Sequence, residues 1–112
     1  VQKTSIWSAM LGVEKTSIIG VDFDEYEHVL LARVRPHKSM RNRCGICSRR
    51  SPRYDSGEGP RRWRTLDLGT TETYLVAEAP RVKCPVHAVT VAAVPWARHQ
   101  AGHTRIFDQH VA

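Results

Sequence analysis

The stretch APRVKCPVH, residues 79–87, decides how the rest of this chain is read. Cys84 and His87 have the spacing of a knuckle, a tight turn whose two side chains converge on one ion. A second pair with the same spacing, Cys44 and Cys47, lies upstream in RNRCGICSRR, residues 41–50. The pattern is C-x2-C, then a spacer of 36 residues, then C-x2-H. Zinc takes four soft or borderline ligands at tetrahedral corners, and Cys3His is one of its standard structural sets. The spacer exceeds the usual ribbon length of about 15–20 residues, and two strands and a basic loop fill the difference. All three cysteines of the chain are used by this set.

The flanking charges fit. Three thiolates and one Zn2+ leave a single negative charge, and Arg43, Arg49 and Lys83 stand beside the ligands to offset it. Basic neighbours also favour the thiolate form that a metal requires. With four protein ligands the ion has no position open to water, so its role is structural rather than catalytic. Two other readings compete. A redox pair at Cys44 and Cys47 is expected to open a helix in a βαβ unit, whereas this pair sits in an arginine-rich loop. Buried free cysteines with a surface His87 form the second. His99 and His103 are rival fourth ligands, but neither completes a knuckle.

Outward from the knuckles, the pattern predicts mostly strands. TSIIGVDF, residues 16–23, alternates so that Ile19, Val21 and Phe23 face a core. HVLLARVRP, residues 28–36, puts Leu30, Ala32 and Val34 on one side, with Arg33 and Arg35 on the other, and Pro36 closes it. The two form a hairpin, although the loop between them lacks an Asn-Gly or Asp-Gly signal. Residues 37–61 show no periodic element, and a loop of that length needs something to order it. RRWRTLDLG (61–69), TYLVAEAPRVK (73–83, interrupted at Pro80) and VTVAAVP (89–95) read as further strands. A short helix is expected over residues 3–12, and a second begins after Thr104, a fair N-cap. Trp63 reads as a core residue. PWAR, residues 95–98, reads as a hinge, with Trp96 at the domain edge, against a following module or in the core.

Composition narrows the function. The net charge is +6, and it is unevenly spread. Between Arg33 and Arg64 eleven basic residues face two acids, Asp55 and Glu58, while the remainder is slightly acidic. A local field of this kind attracts polyanions, nucleic acid foremost. The candidate phosphate contacts are Arg41, Arg43, Arg49, Arg50, Arg53, Arg61, Arg62 and Arg64. No Gly-rich phosphate loop, nucleophile elbow or HExxH is present. The longest apolar stretch, VTVAAVPWA, falls far short of the roughly 20 residues of a spanning helix. An odd cysteine count argues against a secreted disulfide framework and for a reducing compartment.

The order YDSGEGPRRWRTLDLG, APRVKCPVH and VPWARHQAGHT resembles the N-terminal zinc-binding domain of insertion-sequence transposases of the ISL-three family. The resemblance covers roughly residues 5–112. It implies zinc ligands at Cys44, Cys47, Cys84 and His87, where many members look like four-cysteine sites and His87 departs to Cys3His. It also implies that a helix-turn-helix segment and an acidic-triad catalytic domain lie outside this chain. The chain itself is then not an enzyme. The expected fold is α+β, mostly β: a small zinc-ribbon-like antiparallel domain over residues 1–98, with 99–112 as a linker and the start of a following helical module. The expected function is zinc-dependent binding of double-stranded DNA at terminal inverted repeats, in the bacterial cytoplasm and on the nucleoid. Self-association is a further expectation, and no membrane or small-molecule substrate is expected. The alternative is a zinc-stabilised protein-interaction or dimerisation module.

Overall fold

The computed structural model describes residues 11–111. The helix expected over 3–12 lies outside the described residues, apart from Leu11 and Gly12. Seven strands and one short helix make up the described chain: β1 (Thr16–Asp24), β2 (Val29–Pro36), β3 (Arg53–Asp55), β4 (Pro60–Leu68), β5 (Thr71–Glu78), β6 (Arg81–Cys84), β7 (Ala88–Val91) and α1 (Arg105–Val111). They form a four-stranded sheet, β1-β2-β5-β4, and a three-stranded sheet, β3-β6-β7.

The mostly-β expectation holds, but the purely antiparallel one does not. β2 and β5 run parallel, from Val29 opposite Glu72 to Arg33 opposite Val76. Parallel neighbours need a long crossover, and the stretch read from sequence as a formless loop over 37–61 supplies part of it, up to the start of β4 at Pro60. The loop contains a 3-10 turn at Lys38–Met40, the first knuckle and β3. Buried Ser51 pins it: its N–H donates to Asn42 O at 2.7 Å and its hydroxyl to Arg49 O at 2.9 Å.

The stretch 73–83 divides at Pro80 as the sequence implies, and its two parts join different sheets. Proline cannot donate to a ladder, so the chain turns a corner at Ala79-Pro80 between β5 and β6. Pro80 O still accepts from Ala92 N at 2.9 Å, which ties the corner to the chain beyond β7. The strand expected over 89–95 is shorter than predicted and ends at Val91.

The β1–β2 hairpin forms. Asp24 replaces the missing turn signal: its carboxylate accepts from the N–H groups of Tyr26 and Glu27 at 3.0 and 3.1 Å. One phase in β1 differs from expectation. A bulge between Ile18 and Gly20 inserts an extra residue against β2, so Ile18 is buried against Val34 while Ile19 turns outward, 52% exposed. Phe23, at the sheet's end, is half exposed. In β2, Leu30, Ala32 and Val34 are buried and Arg33 and Arg35 exposed, as the alternation predicts.

The core of the larger sheet gathers Ile18, Ala32, Val34, Trp63, Leu75 and Ala77. Trp96 and Ala97 cover it from the chain following β7, and Leu11 from the other end. Trp63 and Trp96 meet edge to face, centroids 5.3 Å apart at 79°, an arrangement the aromatic quadrupole favours. Trp96, with 3% exposure, is thus a core residue. Beyond it, residues 102–104 run along the open edge of β4. Arg64 N donates to Gly102 O at 2.9 Å and Thr104 N to Arg64 O at 2.8 Å. This closes an edge that would otherwise present unpaired backbone.

Thr104 caps α1 as predicted, its hydroxyl oxygen accepting from Phe107 N at 3.3 Å. The same hydroxyl donates to the buried Thr65 hydroxyl at 3.0 Å. Thr104→Ala therefore removes a cap and strands a buried hydroxyl, and is expected to cost about 1–3 kcal/mol. Urea unfolding reads this directly, and an unchanged midpoint would show that α1 is not fastened through Thr104.

Candidate metal centre

The second knuckle is a turn of the smaller sheet, and the first docks beside that sheet through isolated bridges. Cys84 ends β6 opposite Ala88, so residues 85–87 form the β6–β7 turn and His87 leans back over it. The first knuckle is a miniature hairpin. Cys44 N donates to Arg49 O and Ser48 N to Cys44 O, both at 2.8 Å, and Arg43 faces Arg50 across it. Cys44 also bridges Ala92, and Ala93 N donates to Arg43 O at 2.8 Å, docking this hairpin beside the chain leaving β7. A salt bridge from Arg81 to Asp55, with Nε to Oδ1 at 2.9 Å, joins β6 to β3.

The two turns repeat one design. The N–H two residues past the first cysteine points at its sulfur in each, Ile46 N to Cys44 Sγ and Val86 N to Cys84 Sγ, both 3.4 Å. The residue after the second ligand has positive φ in each, 63° at Ser48 and 58° at Ala88. Neither is glycine, so each costs about 1–2 kcal/mol of backbone strain. Such strain persists where surroundings over-determine it, as at ligand sites.

The donor atoms of Cys44, Cys47, Cys84 and His87 all lie within 4.8 Å of one another. Cys47 Sγ is 3.8 Å from Cys84 Sγ, and His87 Nδ1 is 3.7 Å from the sulfurs of both Cys44 and Cys84. A tetrahedron with Zn–S bonds of about 2.3 Å has S···S edges of about 3.8 Å, so the cluster has zinc's dimensions. Its electrostatics also call for a cation. Burial opposes ionisation of Cys84, but the N–H groups of His87 and Val86 outweigh it and bring the thiol down to about 6. At Cys47 the Arg49 N–H acts to lower the pKa, yet desolvation and the crowding sulfurs of Cys84 and Cys44 prevail and raise it.

Residues 41–87 match the family described as the zinc-finger of transposase IS204/IS1001/IS1096/IS1165. The chain carries the zinc-binding domain of ISL-three transposases. Transposases for insertion sequence element IS1557 from two strains of Mycobacterium tuberculosis, CDC 1551 / Oshkosh and ATCC 25618 / H37Rv, are each 51% identical over 112 residues. The alignment takes in 96% of this chain and 25% of each relative, so the chain spans about a quarter of their length. No solved structure matches.

The ISL-three domain holds one structural zinc through this Cys3His set. His99 is not among the clustered donors. Instead it packs on Gly45 inside the first knuckle, where an added Cβ would strike its Nδ1 and the Val91 carbonyl oxygen. His103 stacks on Phe107 at 4.9 Å. The Gly45 contact is a supporting feature that sequence reading missed, and glycine within C-x2-C was its one visible signal.

The eight arginines singled out from sequence divide by what they touch. Arg43 bonds Ser39 O at 3.1 Å and Ser48 O at 3.2 Å, bracing the first knuckle. Arg61 bonds Ala101 O at 2.6 Å and lies 5.0 Å over Trp63. Arg64 pairs with Asp67 at 2.7 Å and with Glu72, beside Tyr74 and Phe107. Burial opposes its charge, but Tyr74 and the two carboxylates more than restore it. Arg41 bonds Pro36 O at 2.9 Å and Arg53 bonds Ser56 Oγ at 2.8 Å. Arg49, Arg50 and Arg62 are exposed, Arg62 lying 5.5 Å from the Tyr74 ring.

Two predictions follow from this geometry. The Cys84 thiol stands near 6 rather than its ordinary 9.0, so thiolate stabilisation is present at high pH and is lost as pH falls through about 6. Cys47, raised above 9.0, must give up its proton to a metal, so zinc affinity measured by competition with a chromogenic chelator should weaken as pH falls through neutrality and more steeply below about 6. A pH-independent affinity would contradict the assignment. Gly45→Ala should weaken zinc binding by about 10–100-fold, the usual cost of disturbing the support around a metal ligand. Competition with a calibrated chelator measures it, and wild-type affinity would show that His99 and Val91 leave room.

Proposed function

We propose that this domain binds double-stranded DNA at the terminal inverted repeats of an insertion sequence, on behalf of a transposase whose catalytic domain lies outside this chain. The observation that carries the reading is the seating of the basic segment on the zinc ribbon. Eleven cations between Arg33 and Arg64 lie along β2, the first knuckle, β3 and β4, and the first knuckle supplies two of the four metal donors. The relatives' description as transposases of an insertion sequence supports it. In this reading residues 99–112 lead into a following helical module, and the protein works in the bacterial cytoplasm. No described helix is long and apolar enough to cross a membrane.

A specific observation favours a second reading. Ile46 and Val86 occupy equivalent positions at the two knuckle tips and are 55% and 63% exposed. A pair of apolar tips suits a protein partner or a second copy, and transposase assembly would use it alongside DNA. Light scattering with and without duplex separates the two. A stable dimer without DNA affinity would favour the second reading.

Neutralising about 6–10 phosphates makes affinity fall by about 10^3–10^5 between about 50 and 200 mM salt. Fluorescence anisotropy with an inverted-repeat duplex should show that steep fall, together with weaker binding to a scrambled duplex. Arg62→Ala should lower affinity with zinc content unchanged, and is a cleaner probe than Arg64, whose ion pairs also brace β4. A flat salt response would end the DNA reading.

A further inference from the structure

A cleft of about 440 Å3 opens between the two sheets, remote in role from the zinc ligands, none of which lines it. Arg33, Arg35, Arg41 and Arg53 line it, with Glu78 as its one carboxylate. The remaining wall is largely apolar, including Pro36, Pro60, Pro80 and Val76. The arginines are held but not consumed. Arg33 gives Nε to Asp22 at 3.1 Å, and lies over Gly20, whose missing side chain leaves the guanidinium its place. Arg41 and Arg53 each spend one nitrogen within the domain. Arg35 has no side-chain hydrogen bond or ion pair among the described residues.

We propose that this cleft receives an unpaired nucleotide of a DNA strand. Its phosphate would meet the guanidinium groups and its base would lie between the prolines and the arginine planes. The inference rests on the DNA reading above and goes further. Four cations, of which only Arg33 has a carboxylate partner, against one lining carboxylate favour an anionic occupant, and guanidinium forks match phosphate bidentately. The volume lies within the range of about 300–1,000 Å3 that holds an organic ligand, far more than a phosphate needs. A duplex offers this cleft only its backbone, because its bases are stacked inside. An unpaired nucleotide presents phosphate and ring together, and bases stack on arginine planes as they do on aromatic rings.

The zinc-loaded 112-residue chain is titrated at fixed salt with a blunt duplex and with the same duplex bearing a short single-stranded tail. The tailed probe should bind about tenfold tighter, the value of one well-stacked base. Arg35→Ala/Arg53→Ala should erase that preference. Lys15→Ala/Arg98→Ala, equal in charge but outside the cleft, should keep it. If the cleft double variant fails to load zinc, Arg35→Gln alone serves. Equal affinity of wild type for both probes overturns this proposal while leaving duplex recognition intact. Absence of any DNA binding at low salt overturns both. Displacement of the tailed probe by inorganic phosphate or an acidic peptide as readily as by a single-stranded oligonucleotide also overturns it, because an isolated anion or a protein would then be the occupant.

Discussion

Four side chains from the two ends of a 36-residue excursion meet within 4.8 Å of one another, and the architecture hangs on that meeting. The excursion leaves the first knuckle, forms β3, passes into the other sheet as the β4–β5 hairpin, and returns through β6. The β4–β5 hairpin of that excursion is held by the core of the larger sheet, but without a tie at its ends the remainder would rest on two short strands and a few backbone hydrogen bonds. Metal binding free energy in such sites is folding free energy. Here it also offsets two left-handed non-glycine residues and the mutual repulsion of close sulfurs. The zinc does not decorate a finished fold; it closes one.

The parts of this structure that were legible from sequence are those where one local rule acts alone. The knuckle spacing picked out the four side chains that the fold brings together. Strict alternation in β2 assigned its faces, Pro80 marked the corner, and Thr104 marked the start of α1. What escaped was set by partners distant in sequence. The parallel pairing of β2 with β5 depends on where the β4–β5 hairpin docks. The bulge at Ile18–Gly20 shifts β1 by one residue, which no single-strand period reveals. Trp96 looked equally suited to an edge or a core, and the covering of Trp63 decides between them. His99 carried a metal-ligand side chain, yet it contributes bulk against Gly45.

Charge shows the same division. From sequence the arginines between Arg33 and Arg64 are one basic block. In the fold Arg43, Arg61 and Arg64 are largely spent on carbonyls, rings and carboxylates, and add little to the free positive surface. Arg33 and Arg35, which alternation had placed on the outer face of β2, acquire a role because β2 borders the cleft. The candidate phosphate contacts overstated the surface in β4 and left out β2. Burial and ion pairing, neither visible in a count, separate the two.

The Ala79-Pro80 corner carries a consequence for how the two ends of the molecule communicate. The sheets are joined by four passages of chain: the crossover after β2, the turn from β3 to β4, this corner, and the segment leaving β7. The metal donors join the first of these to the β6–β7 turn, and none of the four lines the cleft. Coupling of this kind is reciprocal by thermodynamic necessity. A ligand that grips both walls and prefers their zinc-bound spacing raises the affinity for zinc by the same factor as zinc raises its own. The occupancy of the metal site and of the cleft are then two readings of one equilibrium.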